Sequence, residues 1–136
     1  MNILFFLQPK SETAFIYDYN TLRQVLEIME HHQYSCIPML NKEGKYAGTI
    51  TEGDLLWGLK EQESFNLKET EQIAIHKVKR RFDYKCVKVT SNMEDLIEKA
   101  MAQNFVPVTD DQDYFIGIVT RKSIIKFCYQ KIQENN

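Results

Sequence analysis

Long apolar runs are absent from this chain of 136 residues. The longest early one, Ile3 to Leu7, is far too short to cross a bilayer and carries neither a basic flank nor a small-residue cleavage site, so nothing addresses the chain to a membrane. Cysteine is scarce. Cys36, Cys86 and Cys128 are odd in number and widely spaced, with no C-x-x-C pair and no histidine pairing beside them, which speaks against a disulfide framework or a zinc site and points to a reducing cytoplasm. An excess of one charge is lacking too: a net charge of −2 gives no global attraction to nucleic acid or to an acidic membrane surface, so only a local patch could supply one. Ser-His-Asp, Cys-His, P-loop and paired-carboxylate arrangements are all missing, so neither an enzyme nor a required cofactor is expected. With 5 glycines, 3 prolines and 43% hydrophobic residues, the composition argues against low complexity and disorder and leaves one ordered domain as the expected class.

What is present is a repeat. "GTITEGDLL" (48–56) and "GIVTRKSII" (117–125) spell one phrase twice, and Pro38 and Pro107, Gly48 and Gly117, and Thr51 and Thr120 are each separated by the same 69 residues. Each copy opens on a short β-rich run, "AFIY" (14–17) or "CVKV" (86–89). Capping boxes follow, Thr21-x-x-Gln24 and Ser91-x-x-Glu94, in which a hydroxyl satisfies an orphan N–H while the Gln or Glu reaches back. The helices after them carry one apolar stripe each: Leu22, Val25, Leu26 and Met29 in the first, Met93, Leu96, Ile97 and Ala100 with Met101 extending it in the second. Two strand-like runs split by a polar turn come next, around "NKEG" (41–44) and "DDQD" (110–113), and a helix closes each copy.

The order is therefore β-α-β-β-α twice, an α+β fold in which neither half has much core of its own and the two sheets are expected to pack face to face with pseudo-two-fold symmetry. Residues 1–62 are assigned to the first repeat with an N-terminal extension, 63–84 to a polar connector with a short helix around Lys68 to Ile75, and 85–136 to the second repeat. Met29 precedes Pro38 by nine residues but Met101 precedes Pro107 by six, which reads as a shortened helix-to-strand turn in the second copy.

"YSCIPMLNKEGKYAGTITEGDLL" (34–56) and "NFVPVTDDQDYFIGIVTRKSII" (104–125) carry a resemblance to a tandem pair of cystathionine-β-synthase-type (CBS) domains, a Bateman module, here standing alone. That resemblance implies adenine-containing ligands (AMP, ADP, ATP, S-adenosylmethionine or cyclic di-AMP) held in clefts between the repeats, a homodimer formed through helices, and a regulated partner protein. It also implies a ribose-binding role for Asp54, hydroxyl contacts from Thr51 and Thr120, and an adenine slot at Ser35 and Cys36 in one copy and at Asn104 and Phe105 in the other. The dimer surface would involve Leu55, Leu59, Ile124, Ile125 and Trp57.

The chemistry of the phrase is plausible in itself, because a carboxylate accepts from both ribose hydroxyls while a helix N-terminus offers free N–H groups to phosphate. Thr51-x-x-Asp54 is equally an ordinary helix start, with Thr51 as cap and Asp54 favoured by the helix dipole. Ser123 stands where Asp54 stands in the first copy, so unequal sites are expected, the Asp54 site stronger toward ribose. Arg121 and Lys122 would turn the second toward phosphate, unless they are simply solvated. On this reading Asp54→Ala weakens nucleotide binding at least about tenfold and barely touches the fold.

Two rivals remain. One is a structural or assembly CBS pair with vestigial clefts that dimerises and binds a partner protein. The other is a nucleic-acid binder using residues 76–88, where six Lys/Arg meet one Asp, although a solvated connector offsetting Glu61, Glu63, Glu69 and Glu71 explains the same run. His31 and His32 are adjacent and read as helix surface rather than metal ligands.

Overall fold

The computed structural model describes residues 2–61 and 66–136, so Glu63 and the expected boundary at 62–63 lie outside the described residues. The elements in chain order are β1 (Gln8–Pro9), β2 (Ile16–Tyr17), α1 (Leu22–His32), β3 (Cys36–Leu40), β4 (Tyr46–Thr51), α2 (Glu52–Lys60), β5 (Val87–Lys88), α3 (Met93–Ala100), β6 (Phe105–Thr109), β7 (Phe115–Thr120) and α4 (Arg121–Glu134). The β-α-β-β-α order thus appears twice. Two compact units contain these elements, one of residues Ala14–Asp83 and one joining the N-terminal segment through Thr13 to Tyr84–Asn136.

In the first unit β2 runs parallel to β3, and β3 pairs antiparallel with β4 from Cys36↔Thr51 to Leu40↔Tyr46. Thr21 starts α1 with the expected capping box: its Oγ1 accepts from the Gln24 N–H at 3.1 Å, and Gln24 Oε1 accepts from the Thr21 N–H at 2.9 Å. The apolar stripe of α1 then packs with Ile16, Ile37, Met39, Ile50 and Leu55. Ile75 joins this core fully buried, although the sequence places it in a polar connector. The Leu22 N–H donates to Ile73 O at 2.7 Å and the Ile75 N–H to Asn20 O at 2.8 Å. Those bonds bring Ile73 and Ala74 alongside the start of α1, so the expected helix at 68–75 is two 3-10 segments, Leu67–Gln72 and Ile75–Lys77, on either side of that junction.

The second unit is a four-stranded sheet in the order β1-β7-β6-β5. Its extra strand is the N-terminal segment, which the sequence assigns to the first repeat: Gln8 and Pro9 pair with Ile118 and Gly117, and Ile3 enters the core with Leu96, Val106, Val119 and Ile124. Pro9 is tolerated because β1 is an edge strand. Gly117, at φ +153°, lies so close to β1 that a Cβ there would sit 2.2 Å from Gln8 O.

Three local expectations are corrected here. α3 is capped by Asn92, whose Oδ1 accepts from the Asp95 N–H at 3.0 Å, one residue after the expected Ser91 box, because the Ser91 N–H is already turned back onto Lys88 O at 2.9 Å. Met101 is 79% exposed and does not extend the stripe. The difference between the copies is a shorter helix, 8 residues in α3 against 11 in α1, while residues 101–104 form a connection no shorter than residues 33–35.

Thr109 holds a buried hydroxyl that has no hydrogen-bond partner, whereas the equivalent position of the first repeat is the fully buried Leu40. Thr109→Val keeps the shape and removes the orphaned polar group, so we expect it to raise stability by about 1 kcal/mol, measured by urea unfolding. An unchanged or lower midpoint would show that the hydroxyl is satisfied by water.

Candidate functional site

The two copies of the phrase form the same junction, a strand that passes directly into a helix. In the first unit Thr51 ends β4 opposite Cys36 and caps α2, while the Glu52 N–H donates to Ser35 O at 2.9 Å. Ser35, Cys36, Thr51 and Asp54 are thereby brought together, with Ser35 exposed and Cys36 buried. Thr51 Oγ1 accepts from the Asp54 N–H at 3.1 Å, and Asp54 Oδ2 accepts from the Thr51 N–H at 3.0 Å. The helix-cap reading of this pair is therefore realised in full.

Asp54 does more than cap. Its Oδ1 accepts from the backbone N–H of Arg81 at 2.8 Å, 27 residues away, and the side chain is only 1% exposed. A hydrogen bond to a charged acceptor contributes roughly 1.5–3 kcal/mol and the cap about 1, so this carboxylate is a structural tie for the segment that follows the 3-10 helices. Each carboxylate oxygen thus accepts from a backbone amide of the chain itself. The neighbouring arginines add to the tie. Arg80 lays its guanidinium over Gly48, 2.3 Å from where a Cβ would stand, and pairs with Asp83 at 2.9 Å. Arg81 lies 5.4 Å from the Trp57 ring centroid and 4.0 Å from Glu61.

In the second unit Thr120 ends β7 opposite Phe105, and the Arg121 N–H donates to Asn104 O at 2.9 Å, so Asn104, Phe105, Thr120 and Ser123 form the counterpart cluster. Thr120 Oγ1 accepts from the Ser123 N–H at 3.2 Å and lies 2.9 Å from Ser123 Oγ. Phe105 is buried with its ring 5.2 Å from that of Tyr84, and the Tyr84 hydroxyl accepts from the Asn104 N–H at 3.1 Å.

Arg121 is half-buried. Its Nε donates to Ala100 O at 2.8 Å and Gln103 O at 2.9 Å, capping the carbonyl end of α3 where a cation is favoured. Lys122 is exposed. The same corner is fixed by buried Gln103, whose amide accepts from the Lys85 N–H and donates to Lys85 O and Phe105 O at 2.8–3.1 Å.

Beside Ser123 opens a cavity of about 340 Å³ lined by Phe5, Gln8, Glu12, Ser123, Lys126 and Gln130 among others. Of the residues singled out from sequence, only Ser123 lines it. Ser123, Lys126 and Gln130 follow Asp54, Trp57 and Glu61 by the repeat step of 69, so the position that is open in the second unit is the one over which Arg81 lies in the first. Sequence reasoning missed Lys126, which that step could have flagged, and the role of Arg80 and Arg81, which no local pattern signals.

In the basic run 76–88, Arg80, Arg81 and Lys88 pair with Asp83, Glu61 and Asp113, while Lys77, Lys79 and Lys85 are exposed. His31 and His32 are exposed on α1, and among the described residues no group of three His, Cys, Asp or Glu could hold a metal ion. Among the same residues no helix is long and apolar enough to cross a membrane.

Comparison with known proteins gives consistent results. A crystal structure of CbpB in complex with c-di-AMP matches with a TM-score of 0.84 at 25% identity, covering 98% of this chain and 88% of that one. CbpB from Streptococcus agalactiae matches with a TM-score of 0.79 at 26% identity, over 95% of this chain and 80% of that one. Among curated sequences, the uncharacterized protein MJ1225 of Methanocaldococcus jannaschii is 25% identical over 131 residues, 88% of this chain but 47% of that protein, so the chain spans about half the length of the curated relative it matches. The CBS domain profile matches residues 9–61 and 75–129, one copy of the strand-to-helix phrase in each. The chain belongs to the CBS-domain family, with the α+β fold of a CBS pair.

Proposed function

We propose that the chain is a regulatory ligand-sensing module of the cytoplasm that binds an adenine nucleotide or related adenosyl ligand at its repeated strand-to-helix junctions and reports it to a partner protein. The observation that carries this reading is the duplicated junction itself, which gathers a capping hydroxyl, helix N-terminal N–H groups and the start of a buried strand, on a fold shared with CbpB bound to c-di-AMP. Thr51, Thr120, Ser123, Ser35, Cys36, Asn104 and Phe105 supply the contacts, and Lys122 a cation for phosphate. Asp54 is buried beneath the Arg81 amide, which must move before a ribose can reach it. The second junction, with a cavity and Lys126 beside it, is therefore the readier site, the reverse of the order expected from Asp54 and Ser123 alone.

Cyclic di-AMP is the first ligand to test, with AMP, ADP, ATP and S-adenosylmethionine beside it. A ligand at about 100 times its dissociation constant stabilises by roughly 2.7 kcal/mol, several degrees at this size, so at least one compound should raise the melting temperature by that much. A flat response to all of them overturns the sensor.

The second reading, an assembly module with vestigial clefts, is favoured by the engagement of Asp54 with the chain. It shares the proposed homodimer. Of the residues expected on its surface, Ile125 and Trp57 are exposed, whereas Leu55 and Ile124 are buried in their own units; Leu56, related to Ile125 by the repeat step, is 59% exposed, and Tyr129 and Ile132 continue the α4 face.

A further inference from the structure

We propose that residues 79–83 form a displaceable strap over the first junction, closing it against a nucleotide until the ligand wins Asp54 from the Arg81 amide. The strap presupposes the nucleotide-sensing role proposed above and assigns that role a regulatory element.

Three separate contacts hold this segment, all at the junction. The Arg81 N–H donates to buried Asp54, the Arg80 guanidinium covers the glycine that opens the phrase, and the Arg81 guanidinium lies on Trp57, about one turn beyond Asp54 on α2. The side-chain grips involve exposed partners. Glu61 is about three-fifths exposed, so its pair with Arg81 is the weak, screened kind that releases readily, and the Arg80–Asp83 pair lies within the segment itself and does not bind it to the junction. The hydrogen bond from the Arg81 amide to Asp54 is the buried tie of the three. A ribose hydroxyl is likewise a donor for the Asp54 oxygen, and because Asp54 is 1% exposed it reaches Oδ1 only where the Arg81 backbone now stands, so the two compete for one position.

The second unit supports the comparison. There the residue equivalent to Asp54 is Ser123, the residue equivalent to Trp57 is Lys126, and the space is a cavity rather than an arginine. The repeats are thus equipped for different duties, one closed by its own chain and one open. Ligand binding at the closed junction would change the protection of residues 79–83, which lead directly into Tyr84 and the second unit. A strap placed there converts occupancy into a change in the last residues of the first unit.

Hydrogen–deuterium exchange on the full chain, with and without saturating cyclic di-AMP, AMP, ADP and ATP, reads the strap at the Arg81 amide. The same four compounds titrate a double variant, Arg80→Ala with Arg81→Ala, which keeps that amide but loses both guanidinium grips. For a compound that binds at the closed junction, exchange at Arg81 should accelerate at least about tenfold, and the double variant should bind it about three to ten times more tightly. Binding by the double variant alone supports the strap as a complete block. Nucleotide binding at the first junction that leaves Arg81 protected overturns the strap and leaves the sensing role standing. So does unchanged or weaker binding by the double variant, the latter making the arginines ligand contacts. Binding by neither chain overturns the sensing role, and the strap with it.

Discussion

Asp54→Ala is expected to lower the stability of the chain by about 2–4 kcal/mol, roughly 6–15 °C in melting temperature. The substitution removes the acceptor for the Thr51 N–H and the acceptor for the Arg81 N–H together, leaving both amides without their present partner. It also removes a side-chain anchor of the Arg81 backbone to α2. This outcome differs from the sequence expectation, in which the residue serves a ligand and the fold barely notices its loss. Asp54→Asn keeps a carbonyl oxygen and should lose about half as much, because the acceptor survives without its charge. Circular-dichroism melting of the two variants decides the matter. A melting temperature unchanged in Asp54→Ala would mean that the carboxylate does not tie the chain.

Gly117→Ala is expected to cost about 3 kcal/mol or more, and clearly more than Gly48→Ala. Both glycines adopt a positive φ that a side chain disfavours, +153° and +145°, which costs on the order of 1–3 kcal/mol in either place. The neighbours differ. At Gly117 the new Cβ would lie 2.2 Å from backbone oxygen Gln8 O and 3.0 Å from Leu7 Cδ1, and relief requires β1 to leave β7. That separation would also loosen Ile3, which is buried in the second core. At Gly48 the obstacle is the end of the Arg80 side chain, which can swing aside. Urea unfolding of both variants, with proteolysis of the N-terminal segment as a second readout, tests the contrast. Equal costs at the two sites would mean that β1 is not held to β7 as described.

Much of this architecture is legible in the sequence because it is local or periodic. The Thr21 capping box, the two hairpins and the stripe of α1 depend on residues within a few positions of one another, and the repeat shows as a fixed step of 69 residues. The errors arise where one residue of offset or a distant partner decides. On α2 a step of one residue turns the helix by about 100°, so Leu55 faces the core and Leu56 faces solvent, and an unaligned run of leucines does not reveal which. Asn92 replaces Ser91 as a cap because Ser91 belongs to a turn. Arg121 sits at a helix start in sequence but caps the end of another helix, 18–21 residues back. The N-terminal segment pairs with a strand more than 100 residues further along, and the Arg81 amide meets Asp54 across 27 residues. Long-range pairings of this kind leave no local signal, and they are what turned the apparent connector into part of the first junction.

The central claim is that the duplicated strand-to-helix junctions receive an adenosyl ligand. Amide chemical-shift mapping of the isotope-labelled full chain, titrated with cyclic di-AMP and then with AMP, ADP, ATP and S-adenosylmethionine, addresses it directly. The account predicts saturable shifts centred on Thr120 to Ser123 and the neighbouring Asn104 and Phe105, with Thr51 to Asp54 responding at higher concentration. Spectra unmoved by all five compounds, or saturable shifts that spare both junctions, would contradict it.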